Sequence, residues 1–462
     1  MRAVDGASGL GGREVSPIAQ SVAQSENSLV RAIGTWGLAA SIVNVTVGGG
    51  IFRLPASPDV TGRLGAAAPL AYIVCALVMG LIVLCIAEAG SRISLTGGPY
   101  AYVEVTFGRY MGFMVGVMLW LLGCTAMPAV AGVFADTVAR YVPAVASAGG
   151  RAAFLAVVFG AVAMINVLGV RQGTRLNATL TVAKLAPLLL LLVAGLFVIQ
   201  GDNLRWTSGA PAAADLSRAS VFLIFAFAGV ESALVPSGEV RNSARTVPRA
   251  VFLAMALVTL LYIGLQVVAQ GVLGAELVGD PTPLATAAGR VFGPWGATML
   301  ALGFMISAFG YLSGMTLAVP RALFAFARDG ILPRRLASVH PRFHTPWLAI
   351  IVQSAIGWLL AVTSGFEGLA IIANVSAALV YLGCAAAAWK LRRSSPSGAE
   401  GAGVRIPGGA LAPPLAAIAI LFLLTSVTLK EWAVLAAVVA VASVLFVIST
   451  RAGTPAQPRA TD

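Results

Sequence analysis

The chain alternates between long apolar stretches and short polar connections along almost its whole length. A helix needs roughly 17–25 apolar residues to cross the hydrocarbon core of a bilayer, and about twelve stretches come close to that length. The pattern therefore predicts twelve membrane-spanning helices. Six of them lie near residues 34–52, 66–87, 108–133, 152–170, 176–198 and 220–237. The other six lie near residues 251–273, 296–319, 347–363, 369–389, 411–429 and 432–448.

The composition agrees with a membrane protein. Hydrophobic residues make up 58% of the chain and charged residues 10%, and the mean hydropathy is +0.90. Soluble domains carry roughly 25% charged residues. A soluble core has no room for this much apolar surface, so we expect an all-α polytopic membrane protein.

The net charge of +12 is explained by where the basic residues lie. They concentrate in connections on one side of the predicted spans, as the positive-inside rule requires for cytoplasmic segments. The clearest clusters are Arg241, Arg245 and Arg249; Arg328, Arg334 and Arg335; and Lys390, Arg392 and Arg393. This placement predicts a protein of the inner (cytoplasmic) membrane with both termini in the cytoplasm, and it removes the need for a nucleic-acid partner.

The spans divide the chain into segments. Residues 1–30 lack a short apolar region with a cleavage site, so we expect a disordered cytoplasmic tail rather than a signal peptide. Residues 31–210 hold spans one to five, residues 211–395 hold spans six to ten, and residues 396–450 hold the last two. Residues 451–462 are expected to form a second cytoplasmic tail.

The cysteines and histidines point to no metal site. All four cysteines fall in predicted spans and have neither metal-ligand spacing nor a disulfide framework: Cys75, Cys85, Cys124 and Cys384. His340 and His344 share one loop without further ligands, so we expect that loop to be solvated. The sequence presents no nucleophile–base set either. We therefore predict no metal, no cofactor and no enzymatic activity.

Two ionisable residues fall near the middle of predicted spans, where charge is costly and a functional role is the default hypothesis. Lys184 follows Thr174 by ten residues, which places it roughly 15 Å into a core of ~30 Å. It either snorkels to the headgroups or is a buried amine that binds a proton or bridges helices. Glu231 is either a hydrogen-bonded structural carboxyl or a second proton site. Burial makes the charge of such groups switchable, so we predict proton coupling at both.

Glycines interrupt two of the predicted spans. The first span contains "VTVGGGIFRLP", in which Gly48, Gly49 and Gly50 carry the high entropy cost of glycine in a helix. The sixth span is interrupted near residues 228–230. Each is the first member of a block of five spans, and blocks of odd number enter the membrane from opposite sides. Corresponding interruptions in two inverted repeats indicate a mid-membrane transport site. The alternative is that the glycines only permit close helix packing.

The chemistry of a broken helix suits a zwitterion. Exposed N–H groups at the start of a half-helix attract an anion such as a carboxylate, and exposed carbonyl groups accept from an ammonium. Unwound backbone is tolerated inside a membrane where it lines a cavity. The paired interruptions therefore predict a site for an amino acid.

Several segments resemble the amino acid–polyamine–organocation (APC) family. "GGGIFRLPA" (48–56) resembles the first-helix motif of that family. Four later segments follow in family order: "GGPYAYV" (97–103), "FAGVESALVPSGEVRNSARTVPRA" (227–250), "PRALFAFARDGILP" (320–333) and "IPGG" (406–409). The resemblance implies a five-plus-five inverted repeat, LeuT-like, with helices one and six interrupted and two extra C-terminal helices. It also implies amino acid transport by alternating access.

The resemblance assigns roles to residues. The first-helix segment would bind the substrate carboxylate, and the sixth-helix segment would bind the amino group and close an aromatic side chain over the substrate. Lys184 matches a fifth-helix lysine of proton-coupled members, which makes sodium coupling less favoured, and Glu231 matches an acidic position of several members. The implied substrate-binding residues are Gly48, Gly49, Gly50, Ile51, Leu119, Gly123, Phe225, Phe227, Ala228, Gly229 and Met315.

Departures from the family's arginine–agmatine exchangers bear on the substrate. Phe225 and Met315 stand where those exchangers have tryptophan, and Leu119 and Met127 replace a tyrosine and an asparagine. Ordinary helix packing is the alternative explanation for such apolar positions. The apolar wall favours neutral, small or apolar L-amino acids over a guanidinium. Together with the proton coupling expected at the two mid-span ionisable residues, this predicts a proton-coupled symporter or exchanger of such amino acids. A carrier of cationic amino acids or polyamines, with Glu231 as counter-charge, is the alternative, and a non-transporting sensor is the remote one. The expected partners are the amino acid, protons and membrane lipid, for a monomer or homodimer.

Overall fold

The computed structural model describes residues 34–93, 98–168, 174–206, 209–229, 240, 243–394 and 410–451, and the structural statements below concern these residues. The N-terminal tail predicted for residues 1–30, nearly all of the C-terminal tail predicted for residues 451–462, and Glu231 lie outside them.

The described chain is helical and contains no β-strand within those ranges. The first eight helices are α1 (Thr35–Thr46), α2 (Gly49–Arg53), α3 (Ala68–Arg92), α4 (Pro99–Phe107), α5 (Arg109–Ala139), α6 (Ala148–Val167), α7 (Thr174–Gly195) and α8 (Ala213–Phe227). The other eight are α9 (Ser243–Leu273), α10 (Pro283–Phe292), α11 (Pro294–Ala318), α12 (Pro320–Arg328), α13 (Trp347–Thr363), α14 (Phe366–Ser394), α15 (Ala412–Leu424) and α16 (Leu429–Arg451).

Seven stretches of the described chain are long and apolar enough to cross a membrane, or eight if α1 and α2 form one bent span. The seven contain α3, α5, α6, α9, α11, α14 and α16. The protein is therefore an all-α polytopic membrane protein. Two helices begin earlier than the apolar pattern predicted: α8 begins at Ala213 rather than near residue 220, and α9 begins at Ser243 rather than near residue 251. The end of the sixth predicted span, residues 230–237, lies outside the described residues.

Helix α5 forms the centre of the bundle. Its side chains are buried on every side from Leu121 to Ala135, as expected for a helix that is apolar all round and enclosed by other helices. Helix α16 lies at the periphery, where large side chains such as Val441 and Ile448 are exposed and lipid can cover them.

The bundle has two opposite faces, which the ends of the first span define. The N-terminal face is the one where α1 begins at Thr35, and the opposite face is the one where α2 ends at Arg53. Because α3 returns across the bundle, α4 lies at the N-terminal face. Helix α12 lies there too, since Phe326 packs edge-on against Phe113 near the start of α5, with ring centroids 5.2 Å apart.

Candidate functional site

The first helix is broken between Thr46 and Gly49. Gly48 has extended backbone angles, and α1 meets the helical stretch Gly49–Gly62, which begins with α2, at an angle of 43°. The N–H of Gly48 donates to the carbonyl of Thr46 at 2.8 Å instead of continuing the helical pattern to Asn44. The break thus lies at residues 47–48, slightly before the position taken from the glycine run, because Gly49 and Gly50 already belong to α2.

A second helix end lies beside the first. Helix α8 ends at Phe227, and Ala228 takes an extended conformation with ψ 149°. Gly229 has φ +127°, a backbone conformation that side-chain-bearing residues rarely adopt. The chain therefore leaves the helical path here, and residue 230 lies outside the described residues.

The two breaks are in direct backbone contact. A Cβ atom built on Gly229 would lie 3.0 Å from Val45 Cγ1 and 3.2 Å from the amide nitrogen of Thr46. A Cβ atom on Gly50 would lie 2.9 Å from the Cα of Ala226. Any larger residue would push the two chains apart, so glycine is required at both positions by the closeness of the backbones.

Tyr262 of α9 connects the two breaks. Its hydroxyl lies 2.9 Å from the carbonyl oxygen of Thr46 and 2.9 Å from that of Ala226. Its ring is fully buried and packs edge-on against Phe227 at 5.2 Å. Helix ends leave carbonyl groups without intrahelical donors, and the single proton of this hydroxyl is donated to one of the two carbonyls at a time or shared between them. The sequence analysis missed Tyr262, because a tyrosine within an apolar run gives no signal of its own.

Lys184 of α7 also contacts the first break. The Lys184 side chain is buried, and its Nζ donates a hydrogen bond to the backbone carbonyl of Asn44. In an unbroken helix that carbonyl would accept from the N–H of Gly48, which here donates to Thr46. The amine therefore occupies the place of a helical donor that the break has diverted.

A cavity of about 210 Å³ adjoins both breaks. A cavity needs a volume of roughly 10–15 Å³ to hold one water molecule, so this cavity is large enough for a small organic molecule. The sequence-predicted residues in its wall are Gly48, Gly49, Gly50, Leu119, Gly123, Phe225, Ala228, Gly229 and Met315. Val45, Thr46, Trp120, Val130 and Tyr311 also line it and were not predicted.

Three sequence-selected residues lie elsewhere. Ile51 and Phe227 are fully buried and are not part of the cavity wall among the described residues. Met127 is also fully buried, and its sulfur lies 3.6 Å from the hydroxyl of Thr316. The segments selected by motif position adjoin the cavity, but motif position could not tell which side chains of a segment face it.

The small size of two wall residues has a packing cause. A Cβ atom on Gly49 would lie 2.9 Å from Val130 Cγ2, and one on Gly123 would lie 2.5 Å from Val319 Cγ2. Both glycines therefore let α5 approach a neighbouring segment closely. At Gly49, close packing and substrate recognition are compatible, because the residue also lines the cavity.

The cavity wall is largely apolar and carries no charged side chain among the described residues. Its polar groups include the hydroxyl of Thr46, which is buried and has no hydrogen-bond partner in the part of the chain that the structure describes. The indole N–H of Trp120 donates to Gln353 Oε1 at 2.9 Å. Tyr311 adds a phenol to the wall, and the backbone groups at the two breaks are further polar features. With no charged side chain in the described wall, a ligand with charged ends would be recognised mainly by the main chain.

The cavity extends towards the N-terminal face. Pro99 of α4 and Ala322 of α12 form part of its wall there. Towards the opposite face the rings of Phe225 and Phe366 meet edge-on at 5.4 Å. Arg53, at the end of α2, pairs with Glu367 at 3.5 Å, so an aromatic contact and an ion pair lie between the cavity and that face.

Fold and cavity together define a polytopic membrane protein with a central cavity large enough for a small molecule. The sequence profile of the family described as "Amino acid permease" matches residues 33–457. The chain therefore belongs to the amino acid permease family of the APC superfamily, which consists of transporters rather than enzymes.

Three curated relatives of this chain come from Bacillus subtilis (strain 168). The serine/threonine exchanger SteT is 28% identical over 77% of this chain and 82% of its own length. The methylthioribose transporter is 29% identical over 94% of this chain and 97% of its own length. The branched-chain amino acid permease BcaP is 25% identical over 86% of this chain and 88% of its own length.

Proposed function

We propose that this protein carries neutral L-amino acids, small or apolar, across the cytoplasmic membrane by alternating access, with proton coupling. The observation that carries the proposal is the meeting of the break in the first helix and the end of α8 at one cavity, whose described wall is uncharged. A membrane tolerates unwound backbone where it lines such a cavity, and a pair of interrupted helices supplies both kinds of backbone group that a zwitterion needs.

The proposed architecture has twelve spans in a five-plus-five inverted repeat. Residues 31–210 would form the first repeat, beginning with the broken span α1–α2, and residues 211–395 the second, beginning with α8. Residues 396–450 would add two more helices. Seven full-length helices and the bent span α1–α2 account for eight of the twelve spans. The other four would be α8 and three shorter apolar helices, which lie in α7, α13 and α15.

The substrate carboxylate would bind at the start of α2. The N–H of Gly48 already donates to Thr46, so the amides of Gly49 and Gly50 are the proposed donors, since the first N–H groups of a helix have no intrahelical acceptor. The ammonium would lie near the end of α8, where Ala228 and Gly229 leave the helix. Leu119 and Met315 would contact the substrate side chain.

The uncharged wall supports a neutral substrate. A guanidinium or a polyamine would need a carboxylate in the cavity, because a buried charge without a partner is costly. The counter-charge of the cationic alternative, Glu231, lies outside the described residues. SteT and BcaP are named for serine and threonine and for branched-chain amino acids, while another relative is named for methylthioribose, so family membership alone leaves the substrate open.

Lys184 is the proposed proton site. Its hydrogen bond to Asn44 supports one half of a bridge in which the protonated amine holds α1 against the eighth span, α11. Loss of the proton would weaken that bridge and favour movement of α1. Proton binding can shift the equilibrium between the two facing states of the transporter only if Lys184 has a different proton affinity in each. A hydrogen bond to α1 that is present in one state and lost in the other would provide that difference.

The N-terminal face is the proposed cytoplasmic face, in agreement with the basic clusters on that side. The structure would then represent a state accessible from the cytoplasm and closed to the outside by the contact between Phe225 and Phe366. Both termini would lie in the cytoplasm.

A thermal-shift screen of the purified protein tests the substrate class, because a ligand that binds the folded state raises its apparent stability. We expect a rise in Tm with neutral L-amino acids such as alanine or leucine and none with arginine or putrescine. The Gly50→Ala variant should lose the response. A shift with arginine or putrescine alone would replace the neutral substrate class by the cationic one.

A further inference from the structure

A groove of about 540 Å³ lies between α14 and α15, away from the substrate cavity. Its walls are mainly apolar and come from Leu382 and Trp389 of α14, Pro413 and Ala417 of α15, and Phe107 at the end of α4. Because α4 lies at the N-terminal face, this is also where the groove ends.

Two basic residues stand at that end of the groove. Lys390 and Arg393 line it, and both are exposed. Lys390 Nζ lies 4.8 Å from the ring centroid of Phe107 and donates to the carbonyl of Thr106 at 2.9 Å. The guanidinium of Arg393 lies over the ring of Trp389 at 4.4 Å. Aromatic contacts thus hold both cations beside the groove.

No acidic side chain lines the groove among the described residues. The carboxylate at the end of the neighbouring helix α3 is Glu88, which is buried and pairs with Arg392 at 3.3 Å. The local excess of positive charge at the groove end therefore comes from Lys390 and Arg393, and an anion placed there would meet no opposing charge from the groove wall.

Along α14, apolar positions are followed by a basic position, in the same order as the acyl chain and the phosphate of a lipid. Leu382, Ala386, Trp389 and Arg393 recur at helical spacing on one side of α14. From Leu382 to Arg393 is about 16 Å at 1.5 Å per residue. An acyl chain would lie along the apolar part, within the membrane, and a phosphate would reach the basic end at the interface, where Trp and Lys/Arg commonly lie.

We propose that this groove binds an anionic phospholipid, with its phosphate on Lys390 and Arg393 and an acyl chain between α14 and α15. Basic pockets between spans on the cytoplasmic side attract anionic headgroups, and the apolar wall distinguishes a lipid from a free anion. The proposal requires only that the protein is membrane-embedded, so it stands independently of the transported substrate.

The groove is linked to the substrate cavity through α4. Phe107 at the end of this helix lies in the groove, and Pro99 at its beginning lies in the cavity wall. Lys390 also bonds to the carbonyl of Thr106 on the same helix. A bound lipid would hold α4 in position at the mouth of the cavity, so we expect transport to depend on anionic lipid.

Native mass spectrometry of the full-length protein tests the site, with phosphatidylglycerol and phosphatidylcholine titrated separately. We expect one phosphatidylglycerol to bind at least about tenfold more tightly than phosphatidylcholine, since each interfacial cation contributes on the order of 1 kcal/mol. The double variant Lys390→Gln/Arg393→Gln should lose this preference, and Arg393→Lys should retain it. Lys430→Gln, which removes an exposed charge at the opposite face, should behave as wild type.

Two controls keep the outcome interpretable. Inorganic phosphate in millimolar excess should leave the bound lipid in place, because the acyl contacts hold it. Arg393→Gln alone, which leaves the Lys390 bond to α4 intact, should weaken binding without altering thermal stability in detergent. Equal binding of the two lipids, displacement by phosphate, or an unchanged preference in the double variant would each overturn the proposal.

Discussion

The Cα atom of Ala226 lies 2.9 Å from the point where a Cβ atom on Gly50 would stand. This contact joins the helix that begins after the first break to the last turn of α8. It is a contact with backbone, which cannot rotate away as a side-chain end can. The distance between the two broken helices, and with it the shape of the cavity, therefore depends on the absence of a side chain at residue 50.

Substitution of Gly50 by alanine should impair transport while the protein still inserts and folds. Overpacking of this kind costs about 1–3 kcal/mol, and a separation of the two breaks would change the geometry of both proposed backbone sites. We expect uptake into proteoliposomes to fall about tenfold or more. Gly80→Ala is the matched control, because a Cβ atom on that helical glycine meets nothing within 4 Å. Normal uptake by Gly50→Ala would show that the contact is dispensable.

Gly49 allows a test by paired substitution. Its neighbour is the side chain of Val130, 2.9 Å from a built Cβ atom, so shortening Val130 should make room. We expect Gly49→Ala to reduce uptake and Gly49→Ala/Val130→Ala to recover a large part of it. Gly49→Leu should abolish uptake in either background, since the larger side chain would fill the cavity. Full uptake by Gly49→Leu would mean that the glycine serves packing only.

Tyr262→Phe removes one hydroxyl and keeps the ring that packs on Phe227. The carbonyls of Thr46 and Ala226 would lose the one proton that they share, and a buried hydrogen bond is worth about 0.5–1.5 kcal/mol. We therefore expect transport to fall on the order of tenfold, seen mainly in the maximal rate, since the hydroxyl is already occupied by the two carbonyls. Uptake kinetics across a range of substrate concentrations separate the two parameters. A change confined to KM would instead indicate direct substrate contact.

Lys184→Ala tests the coupling role. The variant loses the donor to the Asn44 carbonyl and the only proton-binding group proposed within the described residues. We expect accumulation driven by an imposed pH gradient to disappear while exchange of internal for external substrate persists. Counterflow measurements on the same proteoliposomes distinguish the two activities. Unchanged gradient-driven accumulation would exclude Lys184 as the coupling site.

The sequence indicated the elements of the site better than their contacts. The glycine run and the residues near 228 predicted interruptions, because glycine in an apolar span is costly, and both positions lie at helix ends in the structure. Lys184 was singled out by its depth, yet its acceptor on Asn44 could not be foreseen. That acceptor depends on how the break redirects the N–H of Gly48, which is a matter of tertiary geometry.

Side-chain direction accounts for most of the differences. Ile51 and Phe227 belong to the expected segments but are packed away from the cavity, while Val130 and Trp120 line it without any distinctive pattern. Tyr262 is informative only once α9 is seen beside both breaks. Local spacing predicts which residues share a helix face, whereas the orientation of that face is determined by neighbours distant in the chain.

Uptake of labelled L-alanine and L-leucine into proteoliposomes tests the central claim most directly. The wild-type protein should take up both above the level of protein-free vesicles, and an inward proton gradient should increase the accumulation. Excess unlabelled neutral amino acid should compete, and excess arginine or putrescine should not. Absence of uptake for every neutral amino acid, together with transport of arginine or putrescine, would contradict the account.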